Sequence, residues 1–281
     1  MDHINTDQKK DCSFKAFFVH LFRDHIFESA ATLSYYFLFA FFPLAIFISS
    51  VFATLQISPD NLTYSSRIIP EQVLNLVRAY LKEISLGNTT TLMIIGCVLS
   101  IYSVGKAIQT MKRKFRLAYQ IDPQISIWKE WGISLIFVFL MLLSFFITLV
   151  LIVAGREILF WLAEDFPTIA NLYFSLQVLR YTAVSAYMGF VLFGVYYILP
   201  GAKQRFRDVI PGTLFCLTAW MLISYFFSYI LSKMYDFAIF YGSVGTIIAL
   251  LTWMFFVNTV ILLGAYINSF VYLKRQDKAN D

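Results

Sequence analysis

Residues 30–55, AATLSYYFLFAFFPLAIFISSVFATL, contain no charged side chain. That one property narrows the choice of fold more than any motif does. The hydrocarbon core of a bilayer takes about 20 mostly apolar residues per helix. Residues 30–55, 89–108, 133–153, 181–199, 209–231 and 244–270 all meet that requirement and read as six spans. Lipid offers no partner for a free backbone N–H, so each span is expected to be helical and an open sheet is excluded. Thirty phenylalanines cannot hide in one core of this size, and 14% charge is well short of the roughly 25% of a soluble domain. The expected fold class is therefore all-α: a polytopic membrane protein with a bundle of six transmembrane helices. The bundle forms a single domain over residues 1–273, and 274–281 is a short cytoplasmic tail.

The N-terminal MDHINTDQKKDCSFK is polar and lacks the apolar core and cleavage site of a signal peptide, so no cleaved leader is expected. Cys12, Cys97 and Cys216 are odd in number and scattered, which indicates no disulfide framework. With six spans, both termini share one side of the membrane. That side, with the loops after spans two and four, holds sixteen of the twenty-two basic residues. Lys/Arg excess marks cytoplasmic loops, so both termini are expected in the cytoplasm. The clusters KRKFR (Lys112, Arg113, Lys114, Arg116) and KQRFR (Arg205, Arg207) then meet the anionic inner surface, at about 1 kcal/mol per charge. Anchoring to membrane lipid accounts for them, and binding a polyanion is the sharper alternative. Two amphipathic stretches, FKAFFVHLFRDHIFE and PEQVLNLVRAYLKEI, read as interfacial helices on opposite sides.

Three blocks carry a resemblance: AATLSYYFLFAFFPLAIF, LPGAKQRFRDVIPGTLF and YGSVGTIIALLTWMFFVNTVILLGAYINSF. In their order and spacing they resemble the YihY/BrkB family of bacterial inner-membrane proteins, over roughly residues 14 to 273. The resemblance implies six transmembrane helices, cytoplasmic termini and no cofactor. It also brings the old label of ribonuclease, generally regarded as a misassignment, and the usual suggestion of transport of envelope lipid or another solute. The sequence departs from the family where members often have a glutamate: Tyr266 stands there, in GAYINS.

Several residues are candidates for a substrate path. Glu28, Thr32, Tyr35 and Phe39 fall on one helical stripe, and Pro43 removes a backbone bond a turn further on. A polar vestibule ending at a kink is one reading. Glu28 in the headgroup zone beside Lys106 or Arg23, with a packing kink, is the other. Arg180 lies inside the bilayer if span four begins near Leu172, at a cost of about 2.5 kcal/mol or more unless paired. If the span begins at Tyr181, Arg180 meets outer-leaflet phosphates. Gly96, Ser100, Ser103, Ala107 and Thr110 share a face of span two; Gly242, Gly245 and Asn258 mark span six. Close helix packing and the lining of a groove both fit small residues and an Asn. Asp208 and Pro211 read as a helix entry.

Enzyme chemistry finds little footing. All three histidines lie in the first 25 residues, no Cys or His recurs at metal-ligand spacing, and no phosphate-cradling glycine loop occurs. His20 and Asp24, four apart, read as an interfacial pair rather than a chelate. The expectation is a protein without enzymatic activity, metal or cofactor, in the bacterial cytoplasmic membrane, with lipid and not nucleic acid as its partner. It translocates or presents an amphipathic substrate in a groove between spans one, two, four and six. There Glu28 and Tyr35 serve the inner end, Arg180 the outer phosphate, and Pro43 and the span-six glycines allow movement. A scaffold recruiting an envelope-protein partner is the alternative, and a membrane-bound ribonuclease a distant third.

Overall fold

The structure is a computed structural model and describes residues 24–54, 89–121, 173–233 and 235–280, with isolated helical positions between 132 and 147. The continuous segments hold five helices and, among the described residues, no strand: α1 (Ile26–Thr54), α2 (Thr89–Ala118), α3 (Tyr173–Ile198), α4 (Phe206–Lys233) and α5 (Tyr235–Asn280). Four of them contain stretches long and apolar enough to cross a membrane: Ile26–Phe47, Thr90–Ala118, Phe206–Leu231 and Ile247–Lys278. The described part of the chain is therefore all-helical, and its apolar helices are those of a multi-pass membrane protein. The apolar part of α3, Thr182–Ile198, is shorter than those four. The expected span at 133–153 and both interfacial helices lie largely or wholly outside the described residues.

Hydroxyl groups in these helices are satisfied by their own backbone. Ser34 Oγ donates to Ala30 O at 2.7 Å, Ser100 Oγ to Gly96 O at 2.6 Å and Thr213 Oγ1 to Val209 O at 2.8 Å. In a solvent without hydrogen-bonding capacity, this i−4 bond removes the cost of a bare hydroxyl. Outward faces are apolar instead: on α4, Leu214, Met221, Leu222, Phe226 and Ile230 are all exposed. Such a surface suits hydrocarbon and would promote aggregation in water.

Four helix boundaries differ from the expected spans. α2 continues ten residues past Ile108, carrying the basic run on its last turns. α3 begins at Tyr173, so Arg180 lies two turns inside a helix but ahead of its apolar part. α4 begins at Phe206, which moves Pro211 from the first turn to the second. α5 runs unbroken to Asn280, so most of the expected tail at 274–281 is its final turns. At about 1.5 Å per residue α5 is about 70 Å long, more than twice the ~30 Å hydrocarbon thickness. Gln276 Nε2 donates to Tyr272 Oη at 2.6 Å, one of the contacts that hold the last turns helical.

The chain divides into two compact units. One takes residues 35–108 and 125–191, and the other residues 1–34, 109–124 and 192–281. In the first, α1 stays helical through Pro43, whose carbonyl lies against α2. A Cβ on Gly96 would sit 2.7 Å from Pro43 O and 3.0 Å from Phe47 N. Only glycine permits that approach. The second unit is packed around Ala30, Leu33, Phe115, Tyr196, Val209, Leu262 and Ala265, all buried.

Candidate functional site

The chemistry-bearing side chains of the second unit gather around the turn that joins α3 to α4. α3 stops because Gly201 adopts φ +69°, a left-handed conformation open to glycine at little cost. Leu199 N–H donates to Val195 O and Gly201 N–H to Ile198 O, at 3.0 and 3.2 Å. Gln204 then closes the helix end, its Nε2 donating to Tyr196 O at 2.7 Å and Tyr197 O at 2.8 Å. α4 opens with the reciprocal device: Asp208 Oδ2 reaches back to accept the Arg205 N–H at 2.8 Å. The same buried carboxylate is paired with Arg275 of α5. The guanidinium of Arg275 also lies 5.5 Å from the centre of the Tyr272 ring.

Next to this pair, α4 and α5 approach backbone to backbone. A Cβ on Gly212 would collide with Gly264 O, and a Cβ on Gly264 with the Tyr196 hydroxyl. Tyr196 Oη donates to Ile261 O at 2.9 Å, and Asn268 Oδ1 accepts the Gly212 N–H at 2.6 Å. Phe115 of α2 stacks on Tyr196 with ring centres 5.5 Å apart, and Tyr119, just past the end of α2, lies 5.4 Å from Tyr272. Burial pushes the Tyr119 phenol well above its usual range, with Asp208 and Tyr272 adding to the effect, so it stays neutral. Tyr119 Oη, Gln204 Oε1 and Asn268 Nδ2 are buried polar atoms without a hydrogen-bond partner.

A further polar group stands at the start of α1. Asp24 is buried, and its Oδ2 accepts the Tyr266 hydroxyl at 2.8 Å while its backbone carbonyl accepts Lys114 Nζ at 2.5 Å. Tyr266 thus meets a carboxylate supplied by another part of the chain. His25 follows with φ 51°, and its Nδ1 lies 2.8 Å from Glu28 Oε1.

The residues expected to form a substrate path are divided between the two units. Glu28 is exposed, with a side-chain exposure of 74%, and is paired with His25 rather than with Lys106. Lys106 lies over the Tyr102 ring, 5.6 Å from its centre. Tyr35 faces outward, stacked on Phe39. Pro43 is buried against Gly96. Ser103 is buried and donates to Leu99 O at 2.8 Å. Gly242 and Arg180 are helical, and Gly245 is buried. Asn258 is buried and donates from Nδ2 to Ser34 Oγ at 2.9 Å.

The basic run read as one lipid-facing cluster is split by helix phase. Lys112 and Arg116, a turn apart, are buried, and Lys114 is half-buried. Arg113, Arg205 and Arg207 are exposed. Lys112 and Arg116 therefore do not face lipid, because they share the inward side of α2 with Ile108, Phe115 and Tyr119. Gly212, Gly264, Tyr196, Gln204 and Asn268 did not stand out in the sequence. The one available signal was that Gln204, Gly212, Gly264 and Asn268 fall inside two blocks already notable for their spacing, whereas Tyr196 lies outside both.

Comparison with known proteins places these contacts in a family context. The family described as Virulence factor BrkB matches residues 17–281. The ribonuclease-like protein YfkH of Bacillus subtilis (strain 168) is 27% identical over 251 residues, covering 89% of this chain and 91% of that protein. The UPF0761 membrane protein PSHAa0171 of Pseudoalteromonas translucida (strain TAC 125) is 32% identical over 78 residues, 28% of this chain and 25% of that protein. No solved structure matches.

Proposed function

The chain belongs to the BrkB family of membrane proteins, and from that premise we propose that it translocates or presents an amphipathic envelope substrate, with lipid the leading class. The observation that carries this reading is the buried polar set at the α3–α4 turn. Asp208, Asn268, Gln204 and Tyr119 are buried there, and Asp24 before α1 is buried too, in a chain whose outward faces are apolar. Buried ionisable and amide groups in a membrane protein are costly, and they are retained where a polar substrate group is handled. Tyr119 Oη, Gln204 Oε1 and Asn268 Nδ2 supply a hydroxyl, an acceptor and a donor suited to a polar headgroup. The proposed location is the bacterial cytoplasmic membrane with both termini in the cytoplasm, supported by the Lys/Arg distribution.

The proposal assigns no ribonuclease activity. It rests on the sequence, which lacks a metal-ligand spacing and places every histidine near the N-terminus. Purified protein that cleaves RNA in a metal-dependent manner would reverse that assignment. The central test is reconstitution of the full chain in vesicles carrying a headgroup-labelled phospholipid, read by quenching of the exposed label. Faster label movement than in empty vesicles is expected, slowed by Asn268→Leu. Movement equal to that in empty vesicles, with envelope extract restored, would refute the reading.

A scaffold role draws on one observation: α5 extends well past a membrane's thickness and ends in turns bearing exposed Lys274 and Lys278. Capture of one stoichiometric envelope protein, lost on truncation at residue 273 while lipid movement persists, would favour it.

A further inference from the structure

Beside the α3–α4 turn, three aromatic rings stack into a cluster. The centres of Phe193 and Tyr197 are 6.0 Å apart, those of Phe193 and Phe206 5.9 Å, and those of Tyr197 and Phe206 5.0 Å. The planes lie within 8°, 17° and 10° of parallel. Nearly parallel planes at these spacings are offset-stacked, the arrangement that aromatic pairs favour. Phe206 is 64% exposed. Lys203, Arg205 and Arg207, on the same few residues, are exposed too, and no acidic side chain pairs with them among the described residues. The nearest acid in sequence, Asp208, is buried and committed to the Arg205 N–H and to Arg275. The turn is also held rigidly, by Gly201, by Gln204 on the last carbonyls of α3 and by Asp208 on the first turn of α4.

We propose that this turn is a binding site for an anionic phospholipid, its phosphate held by Arg205 and Arg207 and its acyl chains lying against the stacked Phe193–Tyr197–Phe206 cluster. A guanidinium takes a phosphate through two parallel N–H···O bonds, and aromatic rings favour the level where headgroups meet hydrocarbon. Three uncompensated cations repel the ammonium of a zwitterionic headgroup and attract an anionic diester, so charge selects the lipid class. The cluster, through exposed Phe206, supplies apolar contact area that a soluble phosphate ester cannot use. The site stands apart from the buried polar set, and its occupation requires no transport.

The test is native mass spectrometry of the delipidated full-length protein titrated with phosphatidylglycerol or phosphatidylcholine. Wild type is expected to retain phosphatidylglycerol at least tenfold more tightly. Arg205→Gln and Arg207→Gln each weaken phosphatidylglycerol roughly fivefold and leave phosphatidylcholine unchanged. Phe206→Ala weakens both lipids. Arg113→Gln, an exposed arginine at the end of α2, changes neither. Equal affinity of wild type for the two lipids would overturn the proposal. So would an effect of Arg113→Gln as large as that of Arg205→Gln, since diffuse surface charge would then be the cause. Competition by glycerol 1-phosphate as effective as by the intact lipid would also overturn it, in favour of a site for free phosphate esters. Because the readout is binding alone, a null result in the vesicle transport assay leaves this site standing.

Discussion

Gly212→Ala offers the sharpest check on the α4–α5 contact. The added methyl would lie 2.5 Å from Asn268 Oδ1 and 2.6 Å from its Cγ, and it would overlap the backbone oxygen of Gly264. Ordinary contact begins near 3.4 Å, so the helices must part by about 1 Å. That movement lengthens the 2.6 Å bond from Gly212 N–H to Asn268 Oδ1 beyond hydrogen-bonding reach. A buried donor left without a partner costs about 1–3 kcal/mol, and overpacking against backbone adds about 1–3 kcal/mol. Alanine's better helix propensity returns about 1 kcal/mol, leaving a net loss of about 1–5 kcal/mol. Thermal unfolding of the purified protein in detergent reads this directly, with Gly194→Ala as the control. A Cβ on Gly194 meets nothing within 4 Å, so that variant should match or exceed wild type by up to about 1 kcal/mol. If Gly212→Ala melts with Gly194→Ala, the close approach of α4 and α5 is wrong.

Tyr266→Phe removes the donor at 2.8 Å from the buried Asp24 carboxylate. It should lower stability by about 1.5–3 kcal/mol in the same assay, and an unchanged melting temperature would dismiss the bond. Asp208→Ala should cost about 3–5 kcal/mol by leaving Arg275 without its partner. It should exceed Arg275→Ala, because Asp208 also caps the Arg205 N–H; in the double-mutant cycle the pair should show clear coupling, and additive losses would show that the two side chains act independently. Asn258→Ala should cost only about 0.6 kcal/mol, since Ser34 Oγ keeps its bond to Ala30 O, and a loss above about 2 kcal/mol would point to a partner not yet identified.

The helical class and the membrane setting were legible because each depends on a property of whole segments. A window such as 209–231 is apolar whichever neighbour it meets, and α4 indeed spans it. Side-chain roles depend on helix phase against a partner, which one sequence does not carry. Glu28 opens a stripe that fits either a polar vestibule or the headgroup zone, and only the folded helix shows that stripe facing outward through Tyr35 and Phe39. KRKFR looked like one surface cluster because its charges are contiguous, yet a helix turns 112 and 116 inward and 113 outward. Asp208 was readable as a helix-start residue. Its bond to Arg275 was not, since 67 residues separate the two.

The contacts of the second unit converge on α5, and its sequence explains why. A helix with one apolar stripe can bury one face only. α5 is apolar nearly all round and interrupts that surface with single polar or small residues: Asn258, Gly264, Tyr266, Asn268, Tyr272 and Arg275. Between them they meet segments from every part of the unit. Asn258 meets Ser34 of α1, Gly264 meets Tyr196 of α3, and Tyr266 meets Asp24. Asn268 and Arg275 meet Gly212 and Asp208 of α4, and Tyr272 meets Tyr119 at the end of α2. Apolar packing is nearly indifferent to rotation in a solvent as apolar as leucine, whereas a hydrogen bond or a glycine contact admits one rotation. Specific contacts with each neighbour therefore set the register of α5, and a change at Gly264 or Asn268 should rotate or release α4 without disturbing the Asn258–Ser34 contact.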